Sequence, residues 1–142
     1  MSTVELVIKK SYNKNGPLRV VPSDQDAYLL SLIDRGVRQR LACWLMPKTK
    51  KCFGNTTKID NIKFSIMSPG VRTVDLKLFA DNVTRVIISL DCNDQSGHTI
   101  DSVDYKYSSN PVIIISNKNS IFSGYNFGTT PRLILLVDII KV

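Results

Sequence analysis

The side chains that could do chemistry in this sequence are few. There is one histidine, His98, and there are three cysteines, Cys43, Cys52 and Cys92. Cys92 and His98 share the polar stretch Cys92-Asn93-Asp94-Gln95-Ser96-Gly97-His98, so a thiol–imidazole nucleophile is the one covalent arrangement the spacing permits. No base-orienting group stands at recognisable spacing from either residue, and the stretch is made of turn-formers, which reads as an exposed loop. A zinc ion would need Cys43, Cys52, Cys92 and His98 together. Structural zinc sites draw on closely spaced ligand pairs, and none is present. Carboxylate chemistry has little more to work with: Glu5 is the only glutamate, and the aspartates fall mostly at turns. Asp101 and Asp104 flank the start of a strand. Asp138, inside an apolar run, reads as an edge marker or a paired buried charge. Phosphate-binding patterns of the type GxxxxGK(S/T) and GxGxxG are absent, and Gly124-Tyr125-Asn126-Phe127-Gly128 reads as a glycine-aromatic turn. The expectation from these residues is a protein that is not an enzyme, with no catalytic residue, no cofactor and no metal.

Charge is the stronger signal. The net charge of +7 lies wholly in residues 1–58, and residues 59–142 balance to zero. From Arg35 to Ile59 there is no carboxylate, while Arg35, Arg38, Arg40, Lys48, Lys50, Lys51 and Lys58 all fall there. Surfaces normally intersperse charge signs, because like charges repel in the compact state. A one-sign stretch of this length suggests an anionic partner. Trp44 and Phe53 flank the lysine cluster and have the chemistry to stack on bases or to enter a headgroup layer. With no nucleic-acid reading motif beside them, the expected partner is single-stranded RNA or anionic lipid bound without sequence preference, with an acidic protein as the alternative.

The elements that must carry these groups are mainly strands. Thr3–Lys10 reads as a first strand. Ser23 as a cap, Asp24 and Asp26 in the first turn, the stripe Leu29, Ile33 and Val37, and arginines at the end predict an amphipathic helix over about 24–40. Leu41–Met46 reads as a short apolar run stopped by Pro47. Strands are predicted around 62–66, 74–78, 83–90, 103–107, 112–115 and 133–140, with turn signals every 8 to 12 residues. One N-terminal helix and many short strands predict a single domain over 1–142. Its fold class is mainly β: an antiparallel sandwich or partly open barrel. The runs at 112–115 and 133–140 do not alternate, so both faces of those strands need cover. A second copy of the chain is the expected cover, with Leu133, Leu135, Val137 and Ile139 as the self-association surface.

An odd number of cysteines without CxxC spacing indicates free thiols in a reducing compartment. The sequons at Asn55 and Asn82 then carry no glycan. No apolar run approaches the ~20 residues of a transmembrane helix, and Met1 to Glu5 lacks the pattern of a signal peptide. The expectation is an intracellular protein, soluble or peripheral at a membrane.

A helix-bearing basic third, then neutral strands, then the closing strand Gly128-Thr129-Thr130-Pro131-Arg132-Leu133-Ile134-Leu135-Leu136-Val137 together resemble small viral structural proteins. These are the matrix proteins of negative-strand RNA viruses and compact capsid sandwiches. The resemblance implies a non-enzymatic, self-assembling protein that contacts RNA or an anionic membrane through residues 35–58. An interaction module for an acidic protein is the alternative, and a small enzyme using Cys92 and His98 the second alternative.

Overall fold

The structure, a computed structural model, describes residues 19–21 and 35–141. The predicted strand at 3–10 and the first part of the predicted helix, 24–34, lie outside the described residues.

Among the described residues helix α1 spans Arg35–Phe53, so it runs well past the predicted end at about 40. The run Leu41–Met46, read as extended, is helical, and Pro47 sits inside the helix rather than ending it. Proline there removes the amide that would bond the Cys43 carbonyl, a penalty of ~3 kcal/mol in a helix interior. Burial offsets it: Leu45, Thr49 and Phe53 recur every four residues, and Leu45 and Thr49 are buried against the sheet. Gly54 ends the helix in the left-handed region, φ 104°, where its amide donates to the Lys50 carbonyl at 2.9 Å.

Nine strands lie among the described residues, in chain order β1 (Arg19–Val21), β2 (Thr57–Met67), β3 (Val71–Thr73), β4 (Val83–Asp91), β5 (Ser96–Ile100), β6 (Val103–Lys106), β7 (Val112–Ile115), β8 (Phe122–Asn126) and β9 (Arg132–Lys141). They form two sheets, ordered β2-β9-β4-β7 and β1-β3-β8-β5-β6. All pairings are antiparallel except β1 with β3. The architecture is the expected mainly β sandwich with an N-terminal helix.

The closing strand β9 lies between β2 and β4, and its two faces bury different things. Ile134 and Leu136 point between the sheets, with Ile87, Ile113, Tyr107 and Phe122. Leu135, Val137 and Ile139 point the other way and pack with Leu45 of α1, Ile62 and Val86. Leu133 is half-buried. Leu135, Val137 and Ile139, three of the four residues expected to meet a second copy, are therefore covered by the helix of the same chain, which removes the argument that a neighbouring subunit must shield them. In β7, Val112 and Ile114 are both exposed.

Three local readings change. Residues 74–78 hold only an isolated bridge, Leu76 to Phe122, and the adjoining strand is β3. Residues 96–98, read as the end of a loop, belong to β5, Ser96–Ile100. Phe122–Asn126, overlapping the expected glycine-aromatic turn, is β8, buried along its whole length between β3 and β5. Between β5 and β6, Asp101 and Ser102 take φ of 50° and 68°, a two-residue hairpin with both central residues at positive φ.

Candidate functional site

The polar interior lies between the sheets, near the start of β9. Arg132 opens that strand opposite Met67 of β2 and is fully buried. Its Nη2 donates to Ser65 Oγ of β2 at 2.8 Å, and its Nη1 donates to Tyr107 Oη at 3.1 Å. Tyr107, one residue beyond β6, is 2% exposed and also meets His98 Nδ1 of β5 at 2.5 Å. His98 is 0% exposed and lies edge-on to the Tyr107 ring, with Phe122 on another side. One phenol oxygen thus links a guanidinium on one sheet to an imidazole on the other. Arginine stays protonated in any such setting, so the cluster is a fixed positive charge beside a phenol and an imidazole that can exchange a proton.

Side chains of the neighbouring loops hold this end of the sandwich together. Asn126 Nδ2 donates to the carbonyls of Met67 and Thr130, and its Oδ1 accepts from Asn93 and from the Gly128 amide. Further along, Tyr125 donates to Asp104; burial first, and the carboxylate second, push its phenol well above the ordinary value. Asp101 is tied to the Ile121 amide and the Ser120 hydroxyl, which hold its carboxyl below the usual range. Asp138, the odd carboxylate of the apolar run, is a paired buried charge. Directly opposite it on β4, Arg85 donates from Nε to Oδ1 at 2.9 Å and from Nη2 to Oδ2 at 3.1 Å.

Of the sequence-selected residues only His98 belongs to this centre, and the others scatter around it. Cys92 is half-buried and donates to the Leu133 carbonyl, whereas His98 is engaged with Tyr107. Cys43 and Cys52 are free and exposed on α1. Arg35, Arg38, Arg40, Lys48, Lys50 and Lys51 all fall on α1, with Arg40 and the three lysines exposed, and Lys58 is exposed on β2. Trp44 is 62% exposed, but Phe53 packs against the core under the helix. Arg132, Tyr107 and Ser65 had no signal in the sequence beyond an arginine at the head of an apolar strand.

Residues 22–142, well over half of the chain, match the family model for aspartyl/asparaginyl beta-hydroxylase. The chain belongs to the aspartyl/asparaginyl β-hydroxylase family. Among solved structures, it is similar to the viral collagen prolyl hydroxylase from Paramecium Bursaria Chlorella virus-1. The identity is 12% and the TM-score 0.51, over 98% of this chain and 82% of that one. The plu4264 protein from Photorhabdus luminescens is 14% identical with a TM-score of 0.46, over 59% of this chain and 62% of that one, so this chain spans under two thirds of it. No curated protein matches the sequence. Family membership overturns the expectation of a non-enzymatic, self-assembling viral structural protein: the sandwich is that of a hydroxylase family, and its relationship is to enzymes.

Hydroxylation of an unactivated carbon by non-haem iron uses two histidines and one carboxylate on one face of the metal, with open positions opposite. This sequence has one histidine. Among the described residues, no three His, Cys, Asp or Glu side chains gather closely enough to hold an ion. The Nδ1 of that histidine is taken up by Tyr107. The donor set of this chain does not fit a two-histidine iron centre. No helix among the described residues is long and apolar enough to cross a membrane.

Proposed function

We propose that this chain is a hydroxylase-like domain that takes an aspartyl or asparaginyl side chain of a polypeptide as its substrate group. The family match across 22–142 is the observation that carries this reading. Arg132, Tyr107 and His98 are buried and bonded to one another between the sheets, so what they contribute in this reading is a rigid frame for the domain. Tyr107 and Ser65 hold the guanidinium plane of Arg132, and His98 holds Tyr107.

The test is retention of short peptides containing Asp or Asn against the same peptides with Ala, measured by fluorescence anisotropy with the full chain. Selective retention of the Asp or Asn forms is expected, by at least about tenfold over the Ala forms. Equal retention of the Ala peptides overturns the reading. Gain of one oxygen by a retained peptide, with iron(II), dioxygen and a 2-oxo acid supplied, separates recognition from turnover.

A further inference from the structure

On a helix turning 100° per residue, Leu45, Thr49 and Phe53 define the face of α1 laid on the sheet. The opposite face then carries Arg40, Trp44, Pro47 and Lys51, and all four are exposed. Arg40 stands at its centre, and Trp44 lies about 40° to one side. Lys48, one turn later, places its ammonium 4.5 Å from the centre of the indole ring and pins it in place. No carboxylate occurs from residue 35 to 59. Arg40, Lys48 and Lys51 take no part in the ion pairs found among the described residues, which are Arg85–Asp138 and Lys118–Asp81.

We propose that this outer face of α1 docks the protein on anionic lipid headgroups. Shape and charge together favour that occupant. Proteins that hold single-stranded nucleic acid track its backbone along a groove with aromatic platforms, and peptide modules offer a groove or a sheet edge. Here the aromatic side chain sits on a convex helix with cations beside it. A planar interface accepts that form: the indole enters the headgroup layer while lysine and arginine stems reach the phosphates. Beneath the same helix lies an apolar slot of about 120 Å³, lined by Leu45, Cys52, Phe53, Val86 and Val137, with Lys48 among its walls. That slot has room for hydrocarbon and offers nothing to a sugar–phosphate chain. The proposal is independent of the hydroxylase reading, since it concerns the opposite side of the β2-β9-β4-β7 sheet.

Trp44 is the only tryptophan in the chain, so its emission reports the contact directly. The full chain is titrated with vesicles of phosphatidylcholine containing phosphatidylserine, with pure phosphatidylcholine vesicles, and with oligouridylate, at one ionic strength. A blue shift and co-sedimentation with the anionic vesicles alone are expected. Each cation near the surface contributes about a fivefold gain in partitioning. The Arg40→Gln, Lys48→Gln, Lys51→Gln variant should therefore lose roughly 100-fold, still folded by circular dichroism. A variant with Lys77, Lys118 and Lys141 changed to Gln has the same net charge and should bind as the parent does. Equal loss in both variants overturns the proposal, as do equal binding to neutral vesicles and a response to oligouridylate but not to vesicles.

Discussion

Tyr107→Phe deletes one oxygen atom and leaves the volume of the core almost unchanged, which makes it a clean probe of the inter-sheet cluster. That oxygen accepts from Arg132 Nη1 and pairs with His98 Nδ1. A hydrogen bond to a charged donor contributes ~1.5–3 kcal/mol and a neutral one ~0.5–1.5. With Tyr107 only 2% exposed, and His98 and Arg132 fully buried, water cannot replace the hydroxyl. The expected loss is about 3 kcal/mol, or roughly 10 °C in Tm for a chain of this size. Urea unfolding followed by far-UV circular dichroism measures it; the midpoint should fall while the slope stays constant. Tyr105→Phe, at a half-buried ring on the neighbouring strand, should stay within ~0.5 kcal/mol of the parent. A loss below about 1 kcal/mol in Tyr107→Phe would show that the hydroxyl does not couple the two sheets.

Removing Asp138 by Asp138→Asn strips Arg85 of its bidentate carboxylate and should cost about 3–5 kcal/mol, whereas Arg85→Met with Asp138→Leu should recover most of that loss in the same unfolding assay. Gly97→Ala should destabilise by about 1–3 kcal/mol or more, because a Cβ there meets the backbone of β6 and the Tyr125 hydroxyl, 2.9 Å away. The depressed Asp101 carboxyl contributes stability that is fully present above its unfolded pKa of ~3.9 and is lost as pH falls through the lower folded value. Urea midpoints taken downward from about pH 5 should therefore drop less in Asp101→Asn than in the parent.

Runs of Val, Ile and Leu found the apolar strands. Val83–Asp91, Val112–Ile115 and Arg132–Lys141 all contain the predicted segments, although in Val112–Ile115 only Ile113 and Ile115 are buried. β8 escaped for the opposite reason. Gly124 and Asn126 are buried with polar partners from other segments: the Gly124 amide donates to Thr73 Oγ1, and Asn126 bonds the carbonyls of Met67 and Thr130. Turn-formers in sequence look alike whether solvent or a side-chain network satisfies them. His98 was misplaced by the same token, since the polar residues before it belong to a tight turn and then a central strand. The helix runs past Pro47 to Phe53 because Leu45, Thr49 and Phe53 recur every four residues on the face that meets the sheet, a spacing that outweighs the penalty of one proline. The candidate site itself depends on pairings across 25 and 67 residues of chain, Arg132 to Tyr107 and to Ser65, which no local pattern records.

The placement of β9 between β2 and β4 also sets the order of events in time. Thr57 pairs with Lys141, so β2 has no partner, and β4 has only β7, until β9 has been made. A ribosome would expose β2 unpaired and one edge of β4 open through the synthesis of about 40 further residues, several seconds at ordinary elongation rates. Loops this long close slowly, and folding in the millisecond-to-second range is the expected regime for so non-local a topology. In that interval the Val86-Ile87-Ile88 segment is an open edge for pairing with another nascent chain. Yield of this domain should thus depend on how quickly residues 132–141 emerge, and slow codons placed just before them should favour aggregates over the folded sandwich.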